Sequence, residues 1–342
     1  MIRSTINFLI TAIVTTMLIS GCSHETDTFD GPSLVDRFGE FKVVEGLEIS
    51  RSTVDFAAGE TVFFTAMFNK NVNWIVEITG MESGAVKRIE GFDNELVASN
   101  ATWTGGTTDL PFFTAEMCSV KLLVPEEPSF IDSGEVEVIT PKIYEGSLFT
   151  DFEEDLGGNI FVGNFEFEFT PNTGRQNDII SAEGEYYYLF EGTDNVVPNF
   201  FVGLVDIKSA VTGETYAPLP TTVPEDLYFN CFMYHDLSPH GIAVIQFVVD
   251  SNDSGDFEDG QDETFQLPGD FPLSWDGWQH INHPMSEVLN GASDPITQEK
   301  LEKLVAIRLL LISNMNAQPN PPLQVTYGID FMTFTQGGPL DL

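Results

Sequence analysis

Short runs of β-branched and aromatic residues, broken by Gly, Asn, Asp or Pro, recur along almost the whole chain. Text of this kind fits half-buried pleated strands joined by turns and leaves little room for long helices. Between residues 38 and 140 it gives about seven strands, among them Val54-Asp55-Phe56, Thr61 to Phe68, Trp74 to Ile78, Ala85 to Ile89, Val120 to Val124 and Val136 to Ile139. Asn69-Lys70-Asn71 reads as a turn between two of them. Past Pro141 to Leu148 the strands lengthen. Phe165-Glu166-Phe167-Glu168-Phe169 alternates strictly, and aromatic runs follow at Tyr186 to Phe190, Phe200 to Val205 and Leu227 to Tyr234. Ile242 to Val249, Val305 to Ile312 and Val325 to Phe334 complete the set. One short helix is expected, with Asp294 as N-cap, Pro295 in its first position and Thr297 to Leu304 continuing it. The expected fold class is all-β, with two sandwiches in a chain of 342 residues.

The start of the chain reads as an address. Arg3 precedes a mostly apolar stretch from Ile6 to Ser20, short for a membrane span and lacking a basic stop-transfer flank. Leu18-Ile19-Ser20-Gly21-Cys22 resembles a bacterial lipobox. That resemblance implies a signal peptide over residues 1–21, lipidation of Cys22, and anchoring by acyl chains that gain about 0.8 kcal/mol per buried CH₂. Glu25, Asp27 and Asp30 follow within a polar tether, residues 22–36, and resemble the export signal of Bacteroidetes surface lipoproteins. Ser23 after the Cys implies outer-membrane sorting, so the expected location is the outer membrane, facing the cell surface.

Charge narrows the partners. With 53 acidic and 14 basic residues the net charge is −39, which excludes nucleic acid, whose phosphates need clustered Lys and Arg. It also disfavours docking on anionic lipid by charge. Three Cys exclude a disulfide-dense scaffold, and Cys118 and Cys231 read as separate buried thiols.

Several motifs carry possible chemistry. Asp250, Asn252 and Ser254 alternate, with Gly255 in sixth place and Asp256 beyond, the spacing that curls hard oxygens around calcium. The twelfth position is Gln261 rather than Glu, and the flanks are strands, so the same loop also reads as a solvated acidic hairpin tip. Trp103, Trp275, Trp278 and Tyr187 are the aromatic candidates for stacking on sugar C–H faces, with Asp276 beside the last two indoles. Trp275 and Trp278 are three apart, so in extended chain they point opposite ways, one to a core and one outward. Trp74 reads as core. His280 and His283 read as a surface pair rather than metal ligands, and no nucleophile elbow or other catalytic motif occurs.

Phe152-Glu153-Glu154-Asp155, Ser181 to Tyr186, Trp278-Gln279 and Tyr327-Gly328-Ile329-Asp330-Phe331 together resemble the galactose-binding-like jelly rolls of carbohydrate-binding modules. The Trp74 strand with an earlier aromatic strand resembles an immunoglobulin-like or fibronectin-like module, without Cys–Trp–Cys spacing. The combination resembles Bacteroidetes surface glycan-binding lipoproteins. It implies an immunoglobulin-like sandwich over 37–142, a jelly roll over 143–342, a polysaccharide ligand bound without turnover, and a TonB-dependent transporter as partner. A structural or adhesive lipoprotein that contacts other proteins is the alternative. The resemblance also implies a structural calcium between an early Glu, matching Glu153 or Glu154, and Asp330 of the last strand.

Overall fold

A computed structural model describes residues 39–342, apart from 165–168, 195–200, 237–240, 269–270, 273–274, 292–293 and 314–322. The Cys22 segment and most of the Phe165 to Phe169 alternation lie outside the described residues. The chain is nearly all β.

The first unit holds β1 (Val43–Ile49), β2 (Thr53–Asp55), β3 (Val62–Gly80), β4 (Val86–Leu96), β5 (Thr102–Trp103), β6 (Met117–Leu123) and β7 (Ile131–Thr140). Four of them pair with the 19-residue β3: β1 and β5 along its first part, β6 along its later part and β4 along both. β7 pairs with β6, and with β2 in parallel. Alternation along β3 sends Val62, Phe64, Ala66 and Phe68, then Val72, Trp74, Val76 and Ile78, into one core. Asn69-Lys70-Asn71, expected as a turn, is strand instead. The pairing with β4 jumps register between Met67 and Val72, so the polar triplet is a bulge that lets one strand serve both ends of the unit.

The second unit comprises β8 (Ser147–Thr150), β9 (Ile160–Asn164), β10 (Gly174–Gln176), β11 (Tyr187–Asp194), β12 (Phe201–Lys208), β13 (Leu227–Asp236), β14 (Gly241–Val249), β15 (Glu263–Gln266), β16 (Phe271–Pro272), β17 (Asp276–Pro284), β18 (Leu289–Asn290), β19 (Asp294–Pro295), β20 (Leu304–Ser313) and β21 (Leu323–Gln336). One sheet runs β10-β11-β21-β13-β17 with β8 also on β21, and the other runs β19-β18-β15-β14-β20-β12-β9 with β16 on β14. Their inner faces share one core, in which Phe190 stacks on Tyr327 at 4.4 Å and Phe229 meets Phe247 edge-on at 5.1 Å. Each such ring removed from water contributes about 1.5–3 kcal/mol.

The helix is shorter and later than expected: α1 is Gln298–Leu301, capped at Thr297. The Ile296 N–H is bonded to the Val288 carbonyl at 2.9 Å, and Asp294-Pro295 pairs with β18, so these residues stay extended and cannot open a helix. On the outer face of the larger sheet Arg308 grips Asp206 through two hydrogen bonds, 2.6 and 2.9 Å, and reaches Asp259 at 2.6 Å.

Four distant segments meet where the two units touch. Phe112, Ala182, Phe232 and Leu340 form a third apolar cluster, joined by Tyr144, Trp278, Phe331 and Leu342. The C-terminal residues are seated in this joint: the Leu340 N–H donates to Asn230 Oδ1 at 2.9 Å and Lys142 Nζ to the Asp341 carbonyl at 2.8 Å. Leu342 lies against Gly106, where a Cβ would come within 2.8 Å of its backbone.

Candidate functional site

The outer face of the smaller sheet carries an aromatic group. β13 alternates, so Phe229, Cys231 and Met233 enter the core while Asn230, Phe232 and Tyr234 face out. β17 pairs alongside and sets Trp278 opposite Tyr234 and His280 opposite Phe232. Trp278 and Tyr234 are half-buried, with ring centroids 5.4 Å apart and tilted by 58°. The Trp278 indole Nε1 donates to the Ile180 carbonyl at 2.8 Å, which fixes its plane. Tyr187 meets Trp278 edge-on at 5.7 Å and lies over Gly328, where a Cβ would come within 3.0 Å of its ring. Three carboxylates border the group. Asp178 accepts from the Tyr187 hydroxyl at 2.6 Å, and burial together with Asp236, Asp276 and Asp178 raises the pKa of the Tyr234 phenol. Half-exposed rings beside carboxylates can stack on the C–H face of a sugar while hydrogen-bonding its hydroxyls.

The structure separates the four aromatic candidates. Trp278 stands on this outer face. Trp275 packs against the main core, its Nε1 directed at the Met233 carbonyl at 3.3 Å. Tyr187 is only 2% exposed, so it supports Trp278 instead of offering a stacking face. Trp103 needs the larger correction: it is wholly buried in the first unit, wedged edge-on between Phe56 (4.6 Å) and Phe113 (4.7 Å), with Nε1 bonded to the Gly106 carbonyl. β5 ties it to β3 through Val62. Tyr234, which the sequence did not single out, takes the place of Trp103 and Tyr187. Its signal was the strand alternation of β13.

The acidic loop after β14 is curled around Asp250. The Asp250 carboxylate accepts from the Asn252, Ser254 and Gly255 N–H groups and from the Tyr216 hydroxyl. Burial alone would raise its pKa, but these hydrogen bonds hold it below the usual value. Asn252 Oδ1 accepts from the Ser254 N–H, and Asp256 pairs with Lys208 at 3.1 Å. The alternate spacing thus serves the loop's own backbone donors.

Glu153 and Asp330 close on one loop from two sides. Glu153 Oε1 accepts from the Glu185 and Tyr186 N–H groups, both at 2.8 Å. Gly184, with φ +61°, permits this approach, since a Cβ there would lie 2.3 Å from that oxygen. Asp330 accepts from Glu183 N–H at 2.9 Å and Phe331 N–H at 2.8 Å; its burial, foremost, pushes its pKa well above the ordinary value. Between them Glu183 is raised to about 7 by burial and by the charges of Asp151 and Glu153, and its Oε2 has no hydrogen-bond partner among the described residues. Among the described residues no three His, Cys, Asp or Glu side chains are grouped to hold a metal. This loop lines a cleft of about 860 Å³ between the units, together with Phe112, Lys142, Tyr144, Asp151 and Ile180.

His280 is held neutral by burial, its pKa lowered to about 4, and its Nε2 meets Asn230 Oδ1 at 3.0 Å. His283 pairs with Phe229 on the opposite side of β17 from His280. Cys118 and Cys231 are free thiols in separate cores, and burial pushes both up, Cys118 to about 12.

No protein-family model matches the chain, and no curated protein matches it. Solved structures similar to it include a carbohydrate-binding module of the β-sandwich superfamily studied for promiscuous specificity (10% identity, 86% of this chain and 98% of that one, TM-score 0.37). Another is the family 11 carbohydrate-binding module of Clostridium thermocellum in complex with a β-1,3-1,4-mixed-linked tetrasaccharide (10% identity, 57% and 97%, TM-score 0.34). A third is SGBP-B from a complex xyloglucan utilisation locus in Bacteroides uniformis (14% identity, 86% and 73%, TM-score 0.35).

Proposed function

We propose that this chain is a non-catalytic glycan-binding protein, tethered through a lipid on Cys22 to the outer membrane and presenting its second unit at the cell surface. The observation that carries the reading is the half-exposed Trp278–Tyr234 pair bordered by Asp178, Asp236 and Asp276. Captured chains would pass to a TonB-dependent transporter. Glycan arrays and affinity gels with the soluble mature protein test it. Tyr234→Ala and Asp276→Asn should each weaken retention about tenfold, the loss of one stacking ring or one charged hydrogen bond. Absence of retention on every polysaccharide class would end this reading. Palmitate labelling of cells, with Cys22→Ala as control, tests the anchor.

Calcium enters the same proposal as a structural cation held either between Glu153 or Glu154 and Asp330 or in the loop of Asp250, Asn252, Ser254 and Asp256. A ligand of the native state alone raises the melting midpoint, so calcium should raise it and a chelator lower it. No shift in either direction would remove calcium from the account.

A second reading, adhesion to other proteins, is favoured by the large apolar side chains exposed on the first unit, Phe92 at 65%, Ile131 at 61% and Ile139 at 56%. Recovery of the same outer-membrane protein by the wild type and by Tyr234→Ala, unaffected by added glycan, would support it.

A further inference from the structure

The outward residue Phe232 is fully buried, although it sits on the sheet face that a lone sandwich would leave in water. What covers it comes from the other unit. Phe112, in the segment between β5 and β6, stacks on Tyr144 at 3.8 Å and meets Phe232 edge-on at 5.1 Å and Phe331 at 5.7 Å. Phe331 reaches this position because β21 bulges there, with φ 44° and a register shift against β13. The Phe112 N–H also donates to the Ala182 carbonyl at 2.8 Å.

That bond ties the first unit to the 177–184 loop, and the same loop holds the aromatic group. Ile180 supplies the carbonyl that fixes the Trp278 indole, and Asp178 accepts the Tyr187 hydroxyl. On the far side Asp330 takes the Glu183 N–H. The loop is therefore clamped between Phe112 and the sheet, and Trp278 takes its orientation from the clamped loop.

We infer that Phe112 is a positioning residue for the glycan face: the first unit is part of the recognition device rather than a spacer beneath it. This inference rests on the glycan reading above for its ligand, but its mechanical half can be read without one.

The experiment uses the soluble mature chain with Phe112→Ala and Phe112→Leu, followed by hydrogen exchange and affinity gels. In Phe112→Ala, amide exchange across 177–184 should rise at least tenfold while the Trp74 and Phe229 strands keep their protection, and glycan retention should weaken about tenfold. Phe112→Leu, which keeps apolar volume at the joint, should restore most of both. Unchanged exchange in the loop overturns the inference, as does faster exchange with undiminished retention. If exchange spreads to both cores in Phe112→Ala, Phe112→Leu decides: a residual rise confined to 177–184 supports the clamp, and no rise there overturns it. Should the wild type retain no glycan, the glycan reading fails, and loop exchange alone still confirms or refutes the clamp.

Discussion

Glu183 shows how one side chain can make the fold sensitive to pH. Its pKa, about 7, stands above the ordinary 4.5 because burial and then Asp151 and Glu153 disfavour the charged form. A carboxyl raised in the folded state favours folding while protonated, and that contribution is lost as pH rises from about 4.5 through 7. In chelator, the melting midpoint should fall between pH 5 and pH 8, and Glu183→Gln should flatten that fall by about 2–3 kcal/mol of unfolding free energy. A variant with the wild-type slope would contradict the assignment. Trp103→Ala should cost about 3–5 kcal/mol in denaturant titrations and leave glycan retention per folded molecule unchanged. Trp278 could be nominated from its residue type and the neighbouring Asp276. Glu183 could not, because its state depends on Asp151 and Glu153, about thirty residues away, and on a fold that brings them together.

At the scale of elements, alternation gave away most strands and which faces they bury, since side chains on a pleat alternate whatever the partner strand. It failed where a non-local bond overrode a local preference. The Asn69 to Asn71 triplet has turn chemistry but is held in β3 by pairing on both flanks, and Asp294-Pro295 has cap chemistry but is held by β18. The Arg308 network belongs here too, because it ties β12 and β20 to the loop after β14 through Asp206 and Asp259. Asp206 has no exposure, and burial raises its pKa against the pull of the Arg308 guanidinium. Arg308→Met should destabilise the second unit by about 3–5 kcal/mol, and Asp206→Leu added to it should recover much of the loss. Additive losses in urea titrations would show that the two side chains do not act as a pair.

For the whole molecule, charge decides which glycans can approach. A net charge of −39 sets up a repulsive field for uronic or sulfated chains, whereas neutral chains meet none. Retention on neutral polysaccharides should therefore change little between 50 mM and 500 mM salt, while any binding of acidic ones should appear only at the higher value. Strong low-salt binding of an acidic polysaccharide would run against this. A boundary near residue 141 is an expectation of the sequence. The joint around it was not legible there, because Phe112, Ala182, Phe232 and Leu340 come from segments with no common pattern and converge only in the folded chain.

The seating of Leu340 against Asn230, with Leu342 pressed on Gly106, bears on how the protein can be handled. A tag that displaced Leu340 would take a side chain only 6% exposed out of the apolar cluster at the joint. Fusions belong instead at an exposed turn such as Ala58-Gly59-Glu60, far along the chain from that latch.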